Sequence, residues 1–275
     1  MKKKKNEDRK KTLLLTTLCT TIALGLITIL LIVALVKVFT KNNTPYYKVE
    51  ERVEELNNFT EKHKELSTLG WLKVQGTNID YPVIYGSNDL DFDDITVDFT
   101  WTENEVKTLT NRVFILGHNI RNVSSKPLIT DKEHTKFEQL PSFTYLDFAK
   151  KNKYIQYTID GKDYLYKIFS VSIVDNNDLS HTTKDFTNKE LKEYIDKSLK
   201  ESFYDYDVDV NENDYIITLA TCTRFFGPAK NYTYKIDARM VRDNEKVKNY
   251  SVKENNNYKQ IEKAMEAGDE NEKTI

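Results

Sequence analysis

Several kinds of residue are scarce in this 275-residue chain, and each scarcity excludes something. Cysteine occurs twice, at Cys19 and Cys222. Cys19 lies inside a long apolar run and Cys222 far beyond it, so a membrane between them would prevent pairing and leave the rest of the chain with a lone thiol. A lone thiol in an extracellular domain is unusual and points to a reactive role or an intermolecular bond. Charge of one sign is also missing: 41 Lys and Arg against 43 Asp and Glu give a net charge of −2, so there is no basic field for nucleic acid. No His, Cys and Asp cluster has metal-ligand spacing. Asp89–Asp94 (Asp-Leu-Asp-Phe-Asp-Asp) is too irregular for an EF-hand and reads as a solvated loop, so neither metal nor cofactor is expected. Eight glycines and five prolines beside 17 tyrosines and 13 phenylalanines suit a β-rich globular domain. The length allows one domain of about 200 residues with its own core, plus extensions.

One long apolar run is present. Residues 1–12 are dominated by lysines and Arg9, and 13–38 follow without an acidic residue. A helix of roughly 20 apolar residues spans a bilayer core. No small-residue cleavage site follows at Lys37–Lys41, so the run reads as an uncleaved anchor and not as a signal peptide. The basic flank then stays cytoplasmic as a short tail, and the C-terminal bulk lies outside the cell on a single-pass anchor. Residues 39–45 read as a linker. Val49, Val53, Leu56 and Phe59 recur at helical spacing and predict an amphipathic helix.

Beyond Gly70 the pattern is mostly strand. Trp71–Val74, Ile79–Ile84 and Val113–Leu116 are apolar or alternating, and Tyr154–Ile159 with Tyr164–Val174 flank an Asp160-Gly161 hairpin turn. Short helical pieces are expected near Lys132–Leu140 and Phe143–Lys150. Thr187-Asn188-Lys189-Glu190 has the form of a capping box, ahead of a helical stripe at Leu191, Tyr194, Ile195, Leu199 and Phe203. The strand Tyr215–Ile217 runs on to Cys222, and Tyr232–Val241 closes the domain. Residues 243–275 read as a charged, solvated tail, partly helical at most. Seven or eight strands, often consecutive, predict a mainly β protein: a β-barrel with peripheral helices.

Cys222 stands where its strand stops. Of the four histidines, His63, His134 and His181 sit among polar residues and read as exposed. His118 follows a buried strand directly, as Cys222 does. Two strand ends converging on one rim of a barrel bring a thiol and an imidazole together, the arrangement of an activated cysteine nucleophile with its acid–base partner. Backbone N–H groups beside Cys222 are candidate donors to an oxyanion.

Thr218-Leu219-Ala220-Thr221-Cys222 resembles the TLxTC signature of the sortases, and Gly117-His118-Asn119 resembles the segment carrying their histidine. The resemblance covers about residues 46–242, and the two helices look like class B. It implies an eight-stranded sortase barrel and an anchored transpeptidase. Cys222 would attack a C-terminal sorting signal (LPxTG-like or NPxTN-like) on a secreted surface protein or pilin. The thioester would pass to an amine of a peptidoglycan precursor or to a pilin lysine. Thr221 and Asn119 are the candidate substrate-binding positions. The family's arginine has no counterpart where it is expected. Counting forward from Cys222 reaches Lys230, Asn231 or Tyr232, and aligning back from Ala238–Arg242 reaches Thr233. The available cations are Arg224, Lys230, Lys235 and Arg239. Arg224, two residues from the thiol, is the first choice, with an ordinary exposed loop residue as its alternative. Arg239 is too far along the strand. The missing arginine keeps an inactive anchored binding module in play. The order His118 before Cys222 argues against papain-like proteases and L,D-transpeptidases.

Overall fold

The computed structural model describes residues 2–43, 46–86, 98–129, 133–228 and 232–272, in two units that divide after Tyr46. The N-terminal unit is one helix, α1 (Lys2–Asn43). Its segment Leu13–Val36 has 24 residues and a mean hydropathy of 2.7, long and apolar enough to cross a membrane. At 1.5 Å per residue it extends about 36 Å, against a hydrocarbon core of about 30 Å. Its threonines need no outside partner. The hydroxyls of Thr16, Thr17, Thr20, Thr21 and Thr28 donate to carbonyls three or four residues back at 2.8–3.1 Å. The expected linker is helical as far as Asn43, and residues 44–45 lie outside the described set.

The second unit is built on a closed eight-stranded barrel. Its strands are β1 (Thr68–Val74), β2 (Asp80–Tyr85), β3 (Thr100–Thr102), β4 (Arg112–Leu116), β5 (Tyr154–Ile159), β6 (Lys162–Asp175), β8 (Ile216–Thr223) and β9 (Tyr232–Met240). Around the barrel the order is β1-β2-β3-β4-β8-β9-β6-β5. The barrel and its eight strands are as expected, and the pairs β2·β3 and β4·β8 are parallel and the rest antiparallel, so the barrel is mixed. Asp160 and Gly161 have φ of 53° and 67°, the left-handed pair that a two-residue hairpin between β5 and β6 requires.

The helices are held by identifiable contacts. In α2 (Val53–Lys62), Phe59 packs toward Ile84, Phe99 and Trp101. Arg52, at its N-terminus, bonds Asp80 on β2, which also accepts from Lys73 Nζ at 2.6 Å and Trp71 Nε1 at 2.7 Å. In α4 (Asn188–Glu201) the capping box is complete: Thr187 Oγ1 accepts from Glu190 N, and Glu190 Oε2 accepts from Thr187 N at 2.7 Å. Leu191 and Ile195 join Phe169 and Ile216 in the core, but Leu199 is exposed. Residues 133–139 form turns, and a 3-10 helix (Leu140–Thr144) precedes α3 (Leu146–Lys151). Lys132 and Asp89–Asp94 lie outside the described residues.

The C-terminal segment differs from the expected solvated tail. Strand β10 (Val252–Glu254) pairs antiparallel with β7 (Tyr204–Tyr206), and α5 (Tyr258–Glu272) follows. Tyr250, Val252, Tyr258 and Ile261 are buried. Tyr250 donates its hydroxyl proton between the carbonyls of Lys153 at 2.7 Å and Ile168 at 3.0 Å. Tyr258 packs on Tyr204 with ring centroids 5.5 Å apart. A few apolar anchors among many charges suffice, because Tyr204 and Tyr206 on β7 and Tyr154 on β5 offer them a surface of tyrosines.

Candidate active site

The site forms where β4 stops beside β8, which runs on three residues further along β9 to Thr223. Because the two strands are parallel, with Leu116 opposite Ala220, both chains leave the barrel at the same rim. Gly117 N still donates to Ala220 O at 3.2 Å, so His118 and Cys222 each lie two residues past that last pair. Gly117 is required there, since a Cβ would stand 2.4 Å from the Phe137 ring. The His118 ring packs against Trp101, centroids 4.6 Å apart, which limits its swing. Cys222 is exposed and unpaired in any disulfide.

Two side chains fasten the rim. Thr221 Oγ1 donates to Gly117 O at 2.6 Å. Asn119 Nδ2 donates to Cys222 O at 3.1 Å and to Asn122 O at 2.9 Å, while its Oδ1 accepts from Asn122 N at 3.0 Å. Both side chains are buried. These bonds hold the histidine segment against the strand that carries the thiol, and Asn119 also stands in the wall of the cleft over Cys222.

A cleft of about 540 Å³ opens over Cys222, with Asn119, Ile120, Val123, Asn176, Arg224 and Thr233 among its walls. Arg224 is the cation in that wall among the described residues. Its side chain is exposed, and its backbone N–H is tied to Val123 O at 2.9 Å. Lys235 is buried beneath α4, donating to Ser198 Oγ at 3.1 Å and pairing with Asp237 at 3.3 Å. Arg239 lies opposite Ile216, six residues from Cys222 or about 20 Å at strand rise, and is locked to Glu245 at 2.5 Å. Lys230 and Asn231 lie outside the described residues.

Directly across the β8·β9 ladder from Cys222 stands Thr233. Its hydroxyl donates to Asn176 Oδ1 at 2.8 Å. The sequence carries no sign of this contact, because Asn176 follows β6, 57 positions from Thr233. Among the described residues no histidine lines the cleft: His63 stacks on Phe59 and His181 on Phe114, both half-buried, and His134 is buried, where all three were expected to be exposed.

A closed mixed barrel with a thiol and an imidazole on the ends of parallel neighbouring strands defines a class of proteins organised around that pair. The chain belongs to the sortase family: the Sortase domain model matches residues 72–241. It is 28% identical over 167 residues to sortase B of Staphylococcus aureus (strain NCTC 8325 / PS 47), covering 56% of this chain and 62%, under two thirds, of that relative. Sortase B of Listeria monocytogenes serovar 1/2a is 25% identical over 198 residues, 67% of this chain and 74% of the relative. The X-ray structure of Clostridium perfringens sortase B shares the fold with a TM-score of 0.54 and 24% identity, covering 68% of this chain and 99% of that one. The class B resemblance expected from the helices agrees with these relatives.

Proposed function

We propose that the protein is a membrane-anchored cysteine transpeptidase of the class B kind, with Cys222 as nucleophile and His118 as its acid–base partner. One observation carries the reading: Cys222 is exposed at the end of β8, while Asn119 binds its carbonyl and so holds the His118 segment beside it. In the first step Cys222 gives its proton to His118, and its sulfur bonds the scissile carbonyl carbon. The C–N bond then breaks as His118 returns the proton to the leaving amine, and a thioester remains. In the second step an incoming amine attacks the thioester and loses a proton to His118. The C–S bond breaks and the thiol is restored.

The acyl donor is a secreted surface protein or pilin with a C-terminal sorting signal. The acceptor is an amine of a peptidoglycan precursor or a pilin lysine. Arg224 supports the reading as an exposed, permanently charged donor on the cleft wall. The N-terminus lies in the cytoplasm and the catalytic domain outside, on the single helix α1. The test is mass spectrometry of the protein with a peptide bearing an NPxTN-type motif. Wild type is expected to gain the acyl mass and Cys222→Ala to gain nothing. A wild type that accumulates no adduct and releases no cleaved peptide, with NPxTN-type or LPxTG-type peptides, removes the enzyme reading in favour of an inactive binding module.

A further inference from the structure

The wall of the cleft formed by β9 and the end of β6 carries neutral polar groups. Register fixes where they stand. Cys222 is opposite Thr233, and Thr233 is opposite Val174, so the three share one face across β8, β9 and β6. Asn176, two positions past Val174, opens a 3-10 turn (Asn176–Asp178) just beyond β6, and the bond from Thr233 holds its side chain at that wall. Asn176 is exposed in the cleft, whereas Thr233 is buried.

The hydrogen bond between them orients the amide. With Thr233 Oγ1 donating to Asn176 Oδ1 at 2.8 Å, the carboxamide oxygen is engaged and its NH₂ group is left to the cleft. Directly opposed residues have Cβ atoms about 5 Å apart, so an amide oxygen bonded to Thr233 lies within roughly 9 Å of the Cys222 Cβ. A preset neutral donor at that distance suits an oxygen of the acyl-donor peptide: it needs no reorganisation when the peptide arrives.

We infer that Asn176 binds the acyl-donor peptide through its side-chain NH₂, and that Thr233 is a positioning residue that sets the amide's orientation. This rests on the transpeptidase reading above and adds a substrate-binding group to it. The test measures acylation of the full chain in detergent by an NPxTN-type peptide, together with alkylation of Cys222 by iodoacetamide. Asn176→Asp keeps the shape and the acceptor for Thr233 but loses the donor. It and Asn176→Ala are expected to lower kcat/KM for acylation by about 10- to 100-fold while alkylation stays within twofold of wild type. Thr233→Val should reproduce the loss, and Thr233→Ser should restore wild-type kinetics, which a merely structural threonine would not require. If wild type acylates and both Asn176 variants stay within twofold of it, this inference is overturned and the transpeptidase reading stands. If wild type is alkylated at Cys222 but never acylated, the transpeptidase reading falls and this inference with it.

Discussion

Asn119 and Cys222 are joined by a hydrogen bond from the amide Nδ2 of one to the backbone carbonyl of the other, across 103 positions of sequence. The bond is indifferent to what the thiol does chemically, yet it ties the histidine's segment to the strand that carries the thiol. Replacing Asn119 with Ala removes this bond and both bonds to Asn122, leaving buried backbone groups without partners. A stability loss of about 1–3 kcal/mol is expected by chemical denaturation. Acylation should fall by a larger factor than any fall in the alkylation rate of Cys222, since the thiol survives and its partner is displaced.

Arg224 gives the opposite pattern. Its guanidinium is exposed in the cleft wall and makes no ion pair among the described residues, so Arg224→Ala should leave the melting temperature within about 1 °C. Acylation should drop by about 10-fold or more if the guanidinium contacts substrate, with Arg224→Lys recovering part of it. Unchanged acylation in Arg224→Ala would return this residue to an ordinary loop position.

Much of this was legible in the sequence, and the parts that were not share a cause. Every barrel strand except the three-residue β3, the hairpin at Asp160-Gly161, the capping box at Thr187 and the two strand-end residues follow from patterns spanning a few positions. The contact between Thr233 and Asn176 depends on the register of three strands, and no local pattern encodes register between distant segments. Leu199 completes an apolar stripe on paper, but the barrel surface ends before reaching it. The segment after 242 is dense in charge, and its four buried anchors matter only because a tyrosine surface waits for them.

That segment should be stabilising. A chain ending at Lys246 keeps Glu245, which satisfies the buried Arg239 and also pairs with Lys167, but loses Tyr250, Val252, Tyr258 and Ile261. Hydrophobic burial at about 1.5–3 kcal/mol per large side chain puts the loss at several kcal/mol, as an upper estimate. Ile261→Ala alone should cost about 2–4 kcal/mol in denaturant unfolding. A truncated chain with the full-length midpoint would mean that the docked segment adds nothing.

Asp80 sets an acid limit. Burial pushes its carboxyl up, but hydrogen bonds from Arg52, Lys73 and Trp71 outweigh this and hold it at about 2. An unfolded aspartate titrates near ~3.9, so the folded value is depressed. Its contribution is therefore fully present above about pH 5 and is lost as pH falls through about 2. With the side chain 30% exposed, the contribution is on the order of 1–2 kcal/mol. Asp80→Asn should flatten the fall in stability between pH 5 and 2, measured by urea midpoints across that range.

The closed barrel has a consequence for recognition. Every strand in it is already paired on both sides, so an incoming peptide finds no unpaired edge to join as an extra strand. On the transpeptidase reading proposed above, recognition of the peptide would fall to side chains on the connections at the rim, where Ile120, Asn176 and Arg224 line the cleft. Those connections can be rewritten one residue at a time while the barrel's hydrogen-bonded ladder stays as it is, so a change of preferred sequence need not disturb the scaffold that holds Cys222.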